Sequence, residues 1–98
     1  MCGITAYCGN DEALPFLLQG LEKLEYRGYD SAGITILDKS LTTVKCKGRL
    51  QLLVDELEKY DLKGHVGIGH TRWATHGIPS HLNSHPHTND KNTLSLVH

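Results

Sequence analysis

Leucine falls at helical spacing twice in this chain, and strand-like runs surround both stretches, which leaves few ways to fold it. Leu14, Leu17, Leu18, Leu21 and Leu24 recur at i, i+3, i+4 and i+7 with Glu22 and Lys23 on the far side, so an amphipathic helix is predicted. Asn10 or Asp11 offers a cap, Pro15 fits only near the first turn, and Gly28 is a terminator. Leu50, Leu53, Val54 and Leu57 repeat the spacing in a second helix that runs through Tyr60 and is closed by Gly64. Residues 4–8 read as a short strand with both faces covered, and residues 65–69 as another. Residues 33–37 and 41–46 are β-branched runs joined by Asp38-Lys39-Ser40, which predicts a hairpin. Residues 94–97 begin a further strand.

Composition narrows the possible partners. The chain has 98 residues, enough for one small domain, and its 10 basic and 11 acidic side chains nearly cancel. No Lys/Arg run or basic stripe marks a nucleic-acid or membrane surface, so small molecules or protein are the expected partners. No apolar run approaches the ~18 residues that span a bilayer, and a cytoplasmic protein is expected. Cys2, Cys8 and Cys46 are odd in number and outside any C-x-x-C pattern, so free thiols are expected rather than a disulfide or a cysteine zinc site. Gly67 and Gly69 resemble part of a dinucleotide fingerprint, but it does not complete, and no cofactor is expected.

From His70 to Asn92 the apolar periodicity disappears, giving a predicted loop far longer than the ~4 to 6 residues of ordinary connections. It carries Arg72, Trp73 and five of the seven histidines. His81, His85 and His87, with Asn83 among them, invite a metal reading. Pro79 and Pro86 argue against the helix such a site uses, and no carboxylate or thiol lies close in sequence. His85 and His87 are better read as shaping the loop, and no metal is expected. The chain stops inside an apolar strand, which suggests an interrupted domain.

The remaining question is Cys2. Cys2 and Cys8 could be small apolar fillers of a buried strand. Alternatively, removal of Met1 would put a thiol and an α-amine on one residue, and an amine of reference pKa ~8 suits the transfer of that thiol's proton. From the opening residues alone both readings stand.

Three blocks weigh on that choice: "MCGI", "LEYRGYDSAGI" at 24–34 and "HTRWATHGIPSHLNSHPH" at 70–87. Together, over essentially the whole chain, they resemble the class II glutamine amidotransferases of the N-terminal-nucleophile hydrolase superfamily. The third block is similar to the sugar-phosphate branch of that family; the purine branch usually carries His-Arg-Gly-Gln-Asp and a tyrosine after the loop arginine. Ala6 departs from the family, which commonly has glycine there.

The resemblance implies an α+β fold, an α/β/β/α sandwich of two antiparallel sheets, of which residues 1–98 would be the N-terminal part and therefore incomplete. It implies that Cys2 attacks the side-chain amide of glutamine, forming a thioester and releasing ammonia for glucosamine 6-phosphate synthesis. Arg72 would bind the α-carboxylate of glutamine, Thr75 and His76 would complete the pocket, and Trp73 would gate it. Arg27 and Asp30 would be supporting residues. For a full-length form the resemblance implies sugar-phosphate synthase domains and allows a homo-oligomer. The family's oxyanion Asn-Gly pair and a later amine-binding aspartate fall beyond His98. Since one oxyanion donor is worth ~10² to 10³ in rate, the 98-residue polypeptide is expected to be nearly inert. The alternative is a non-catalytic remnant that binds glutamine, a partner subunit or a metal.

Overall fold

The computed structural model describes residues 2–25, 30–73, 77–78 and 80–98. Its elements in chain order are β1 (Gly3–Cys8), α1 (Ala13–Leu24), β2 (Ser31–Leu37), β3 (Leu41–Lys47), α2 (Leu50–Leu57), β4 (Val66–Arg72), β5 (His87–Thr88) and β6 (Ser95–Leu96). The four longer strands form one sheet in the order β1-β4-β2-β3, with every neighbouring pair antiparallel. The short strands β5 and β6 form a second antiparallel pair. The fold is α+β with two antiparallel sheets, as the resemblance implies.

Alternation along the strands sorts the side chains onto two faces. Ala32, Ile34 and Ile36 of β2, with Val44 of β3, meet Ala13, Leu17 and Leu21 of α1 and Leu50, Leu53 and Leu57 of α2 in one buried core. Helix α1 lies close to β4 because β4 presents glycine there: a Cβ on Gly67 would sit 2.7 Å from Leu17 Cδ1. The other face of β2 is polar and is crossed by the end of the chain. Thr35 Oγ1 lies 2.7 Å from Thr43 Oγ1 and 2.8 Å from Ser95 Oγ, and Lys45 Nζ donates to the Ser84 carbonyl at 2.9 Å.

Several boundaries differ from the sequence reading. The N-cap position of α1 is Glu12, not Asn10 or Asp11, and its side chain makes no cap bond to the helix. Instead Ala13 N–H donates to the Gly64 carbonyl at 2.8 Å, while the Glu12 carboxylate accepts from Gly64 N–H at 2.9 Å, so the helix start is satisfied by tertiary contacts. Gly28, the expected terminator, lies outside the described residues. Helix α2 ends at Leu57, three residues short of Tyr60.

Strand β1 is an edge strand with one face covered, which corrects the expectation that both faces are buried. Gly3, Thr5 and Tyr7 are half-buried, while Ile4, Ala6 and Cys8 are exposed. Strand β4 runs three residues further than expected, through His70, Thr71 and Arg72, because β1 pairs with it as far as Thr71 and β2 as far as Arg72. The final strand shrinks to Ser95–Leu96. Among the described residues no helix is long and apolar enough to cross a membrane.

Candidate active site

Arg72 stands at the end of β4, a strand hydrogen-bonded on both sides, and its main chain is fixed further where Asp30 N–H donates to the Arg72 carbonyl at 2.7 Å. The sequence reading put Arg72 in the long loop; it is a strand residue. Its side chain is buried, only 7% exposed, which a guanidinium tolerates when its N–H groups face acceptors. Asp30 Oδ1 lies 3.8 Å from Nη1, the Gly77 carbonyl accepts from Nη2 at 3.3 Å, and the Ile78 carbonyl accepts from Nη1 at 3.5 Å. Asp30 is itself held by the Ser31 hydroxyl, which donates to Oδ1 at 3.2 Å.

Cys2 arrives from the adjacent strand. Gly3 pairs with Thr71 and Ile4 with His70, so one further step of the same register sets Cys2 opposite Arg72, with both side chains on the sheet face away from the helices. The Cys2 thiol is exposed and lies 4.0 Å from the Trp73 carbonyl oxygen, and Trp73 itself is 47% exposed. The reading of Cys2 and Cys8 as buried fillers is therefore corrected, because the face of β1 that carries them is open.

Of the residues singled out in the sequence, Cys2, Asp30, Arg72 and Trp73 come together. Arg27, Thr75 and His76 lie outside the described residues. The arrangement places an accessible sulfur beside a buried fixed cation, so a ligand carrying a carboxylate at one end and an electrophilic carbon at the other could bridge the two.

The loop histidines form a different structure from the one their spacing suggests. His70 of β4 stacks on His85 with ring centroids 4.2 Å apart, and His85 meets His87 at 4.3 Å. His70 Nε2 lies 2.8 Å from the His98 main-chain oxygen, and His98 N–H donates to His85 Nδ1 at 3.3 Å. The buried Nδ1 of His70 has no hydrogen-bond partner among the described residues. Burial depresses all three imidazoles, with their mutual repulsion and Arg72 adding to the effect, and His85 is lowered to about 4. Among the described residues no three or more His, Cys, Asp or Glu side chains are grouped to hold a metal ion.

The sequence reading set Asn83 among the histidines of a metal cluster and gave it no place beside Arg72. Asn83 donates from Nδ2 to the Ile78 carbonyl at 2.9 Å, the same oxygen that Arg72 reaches. Gly77, at φ +80°, makes the turn beside it, and the single available signal was a glycine following the Arg-Trp pair.

Comparison with known proteins bears on the fold. No family model matches the chain. Among solved structures, a glutamine phosphoribosylpyrophosphate amidotransferase from B. subtilis superposes with a TM-score of 0.76 at 32% identity, covering 93% of this chain and 20% of that one. An allosteric regulatory enzyme of purine biosynthesis superposes with a TM-score of 0.79 at 33% identity, covering 96% and 21%. The chain thus has the fold of the glutamine amidotransferases that use an amino-terminal nucleophile.

Sequence relatives are nearer still. The chain is homologous along its whole length to the amino-terminal glutaminase part of glutamine–fructose-6-phosphate aminotransferase (isomerizing). It is 60% identical to the enzymes of Clostridium tetani and Clostridium acetobutylicum and 58% identical to that of Staphylococcus aureus. The chain spans 16% of the length of these curated relatives.

Proposed function

We propose that residues 1–98 are the amino-terminal part of a glutamine-hydrolysing domain whose nucleophile is Cys2 once Met1 is removed. The thiol proton passes to the α-amine of the same residue, and sulfur attacks the side-chain amide carbon of glutamine. The C–N bond then breaks, the proton leaves with ammonia, and a γ-glutamyl thioester remains for water to hydrolyse to glutamate. Arg72 receives the α-carboxylate, Thr75 and His76 complete its pocket, and Trp73 covers the thiol side. Arg27 and Asp30 support the nucleophile's surroundings and the guanidinium. In the longer enzyme the ammonia goes to fructose 6-phosphate in synthase domains, in the cytoplasm, giving glucosamine 6-phosphate.

The observation that carries this reading is the register of β1 against β4, which sets an exposed thiol opposite a buried guanidinium. The test is incubation with the diazoketone analogue of glutamine, 6-diazo-5-oxo-norleucine, followed by peptide mass mapping. The adduct is expected on a Met1-free Cys2, suppressed by excess glutamine and lost in Cys2→Ser. Retention of Met1 in the cellular product, or equal modification of Cys8, would overturn it.

A further inference from the structure

Arg72 can receive a carboxylate at a defined place only if its guanidinium is held, and among the groups that hold it are three at 3.3, 3.5 and 3.8 Å, each long for a charge-assisted contact. Two of them are the consecutive carbonyls of Gly77 and Ile78. What fixes those carbonyls therefore helps to fix the guanidinium. The short bond on that pair comes from Asn83, whose Nδ2 is 2.9 Å from the Ile78 oxygen. A carbonyl oxygen only accepts, so the amide nitrogen, not its oxygen, must face it.

Asn83 in turn stands on the sheet. Its N–H donates to the Ser80 hydroxyl at 3.1 Å, the neighbouring Ser84 is fully buried and donates from Oγ to the Ser80 carbonyl, and Lys45 of β3 donates to the Ser84 carbonyl. A continuous series of bonds therefore runs from β3 through residues 80–84 to the Gly77–Ile78 carbonyls and on to Arg72. Strand β4 anchors the other end.

We propose that Asn83 is a positioning residue, which holds the Gly77–Ile78 carbonyls against the Arg72 guanidinium and so sets where that guanidinium meets the ligand carboxylate. This rests on Arg72 as the carboxylate receiver. Asn83 touches neither substrate nor sulfur, so its removal weakens capture of the ligand and spares the intrinsic reactivity of Cys2.

The experiment compares the parent with Asn83→Ala and Asn83→Asp, the latter keeping the shape while losing the donor. Labelling of Cys2 by the diazoketone is followed against reagent concentration. The concentration for half-maximal rate is expected to rise roughly ten- to a hundredfold in both variants, with the maximal rate nearly unchanged. In parallel, ¹⁵N spectra follow the Arg72 guanidinium, assigned by its loss in Arg72→Lys; faster N–H exchange is expected in both variants at unaltered thermal midpoint. An Arg72 signal unchanged by both substitutions, or parent-like labelling by Asn83→Asp, would overturn the proposal. If the parent itself is not labelled at Cys2 the glutaminase reading falls, while the Arg72 spectra still decide the role of Asn83.

Discussion

Three thiols in one small chain report three surroundings. Cys2 and Cys8 are exposed, whereas Cys46 is half-buried, its Sγ 3.6 Å from the Leu52 carbonyl, and burial together with Glu56 raises its pKa. A neutral alkylating reagent is therefore expected to modify Cys2 and Cys8 well before Cys46, read by mass mapping over a time course. Equal rates at all three would contradict the exposures described above. In the core, Leu17 is fully buried beneath β4, and Leu17→Ala is expected to lower stability by about 2–5 kcal/mol in denaturant titrations. Leu52, half exposed on the outer side of α2, should change it by less than about 0.5 kcal/mol. Leu17 was legible as core from spacing alone. Asn83 was not, since its partner is a main-chain oxygen five residues away and no side-chain pattern records such a bond.

Among the elements, the helices were legible and the strand ends were not. Helix spacing is a local property, so Leu17, Leu21, Leu53 and Leu57 announce their buried faces within one segment. The end of β4 is not local: His70, Thr71 and Arg72 look like loop residues and become strand because β2 pairs with all three and β1 with His70 and Thr71. The same holds for β1, whose apolar residues suggested two covered faces until the sheet order made it an edge.

The imidazoles of β4 and of the stretch after it carry a pH response. The unfolded chain takes up protons on its histidines near pH 6.5, whereas His70, His85 and His87 are depressed in the fold, His85 to about 4, beside the cations Lys45 and Arg72. The unfolded state thus binds more protons below pH 6.5. Stability is full above that value and falls as pH drops toward 4. The thermal midpoint is expected to be flat from pH 8 to 7 and to decline by several degrees toward pH 5, with a shallower decline in His85→Phe, which keeps the stack. A midpoint indifferent to pH across that range would remove these imidazoles from the energetics.

At the scale of the whole molecule, the two sheet faces are unequally covered. Helices α1 and α2 seal one, while on the other Ile4, Leu37 and Val66 remain exposed, as do Leu94 and Leu96 of the terminal segment. Thr35, Leu37, Leu41, Val66, Ile68 and Leu94 line a cavity of about 300 Å³ there. Such a face drives association in water, so a 98-residue polypeptide is expected to sediment as more than a monomer at tens of micromolar, and Ile4→Glu with Leu96→Glu to shift it toward monomer. A monodisperse monomer in the parent would show that the face is compatible with water. The similarity to much longer aminotransferases, and an incomplete sandwich with it, was legible from three sequence blocks, whereas which face is left open required the strand order.

The position of β1 at the rim has one more consequence. Arg72 belongs to a strand braced by neighbours on either flank, but Cys2 precedes a strand with a single neighbour, so thermal opening begins on the sulfur's side of the pair. Amide deuteration should sweep through the first eight residues while the ladder between β2 and β4 still retains its hydrogens. The cation would then be the stationary reference of the site, and the thiol the partner that comes and goes.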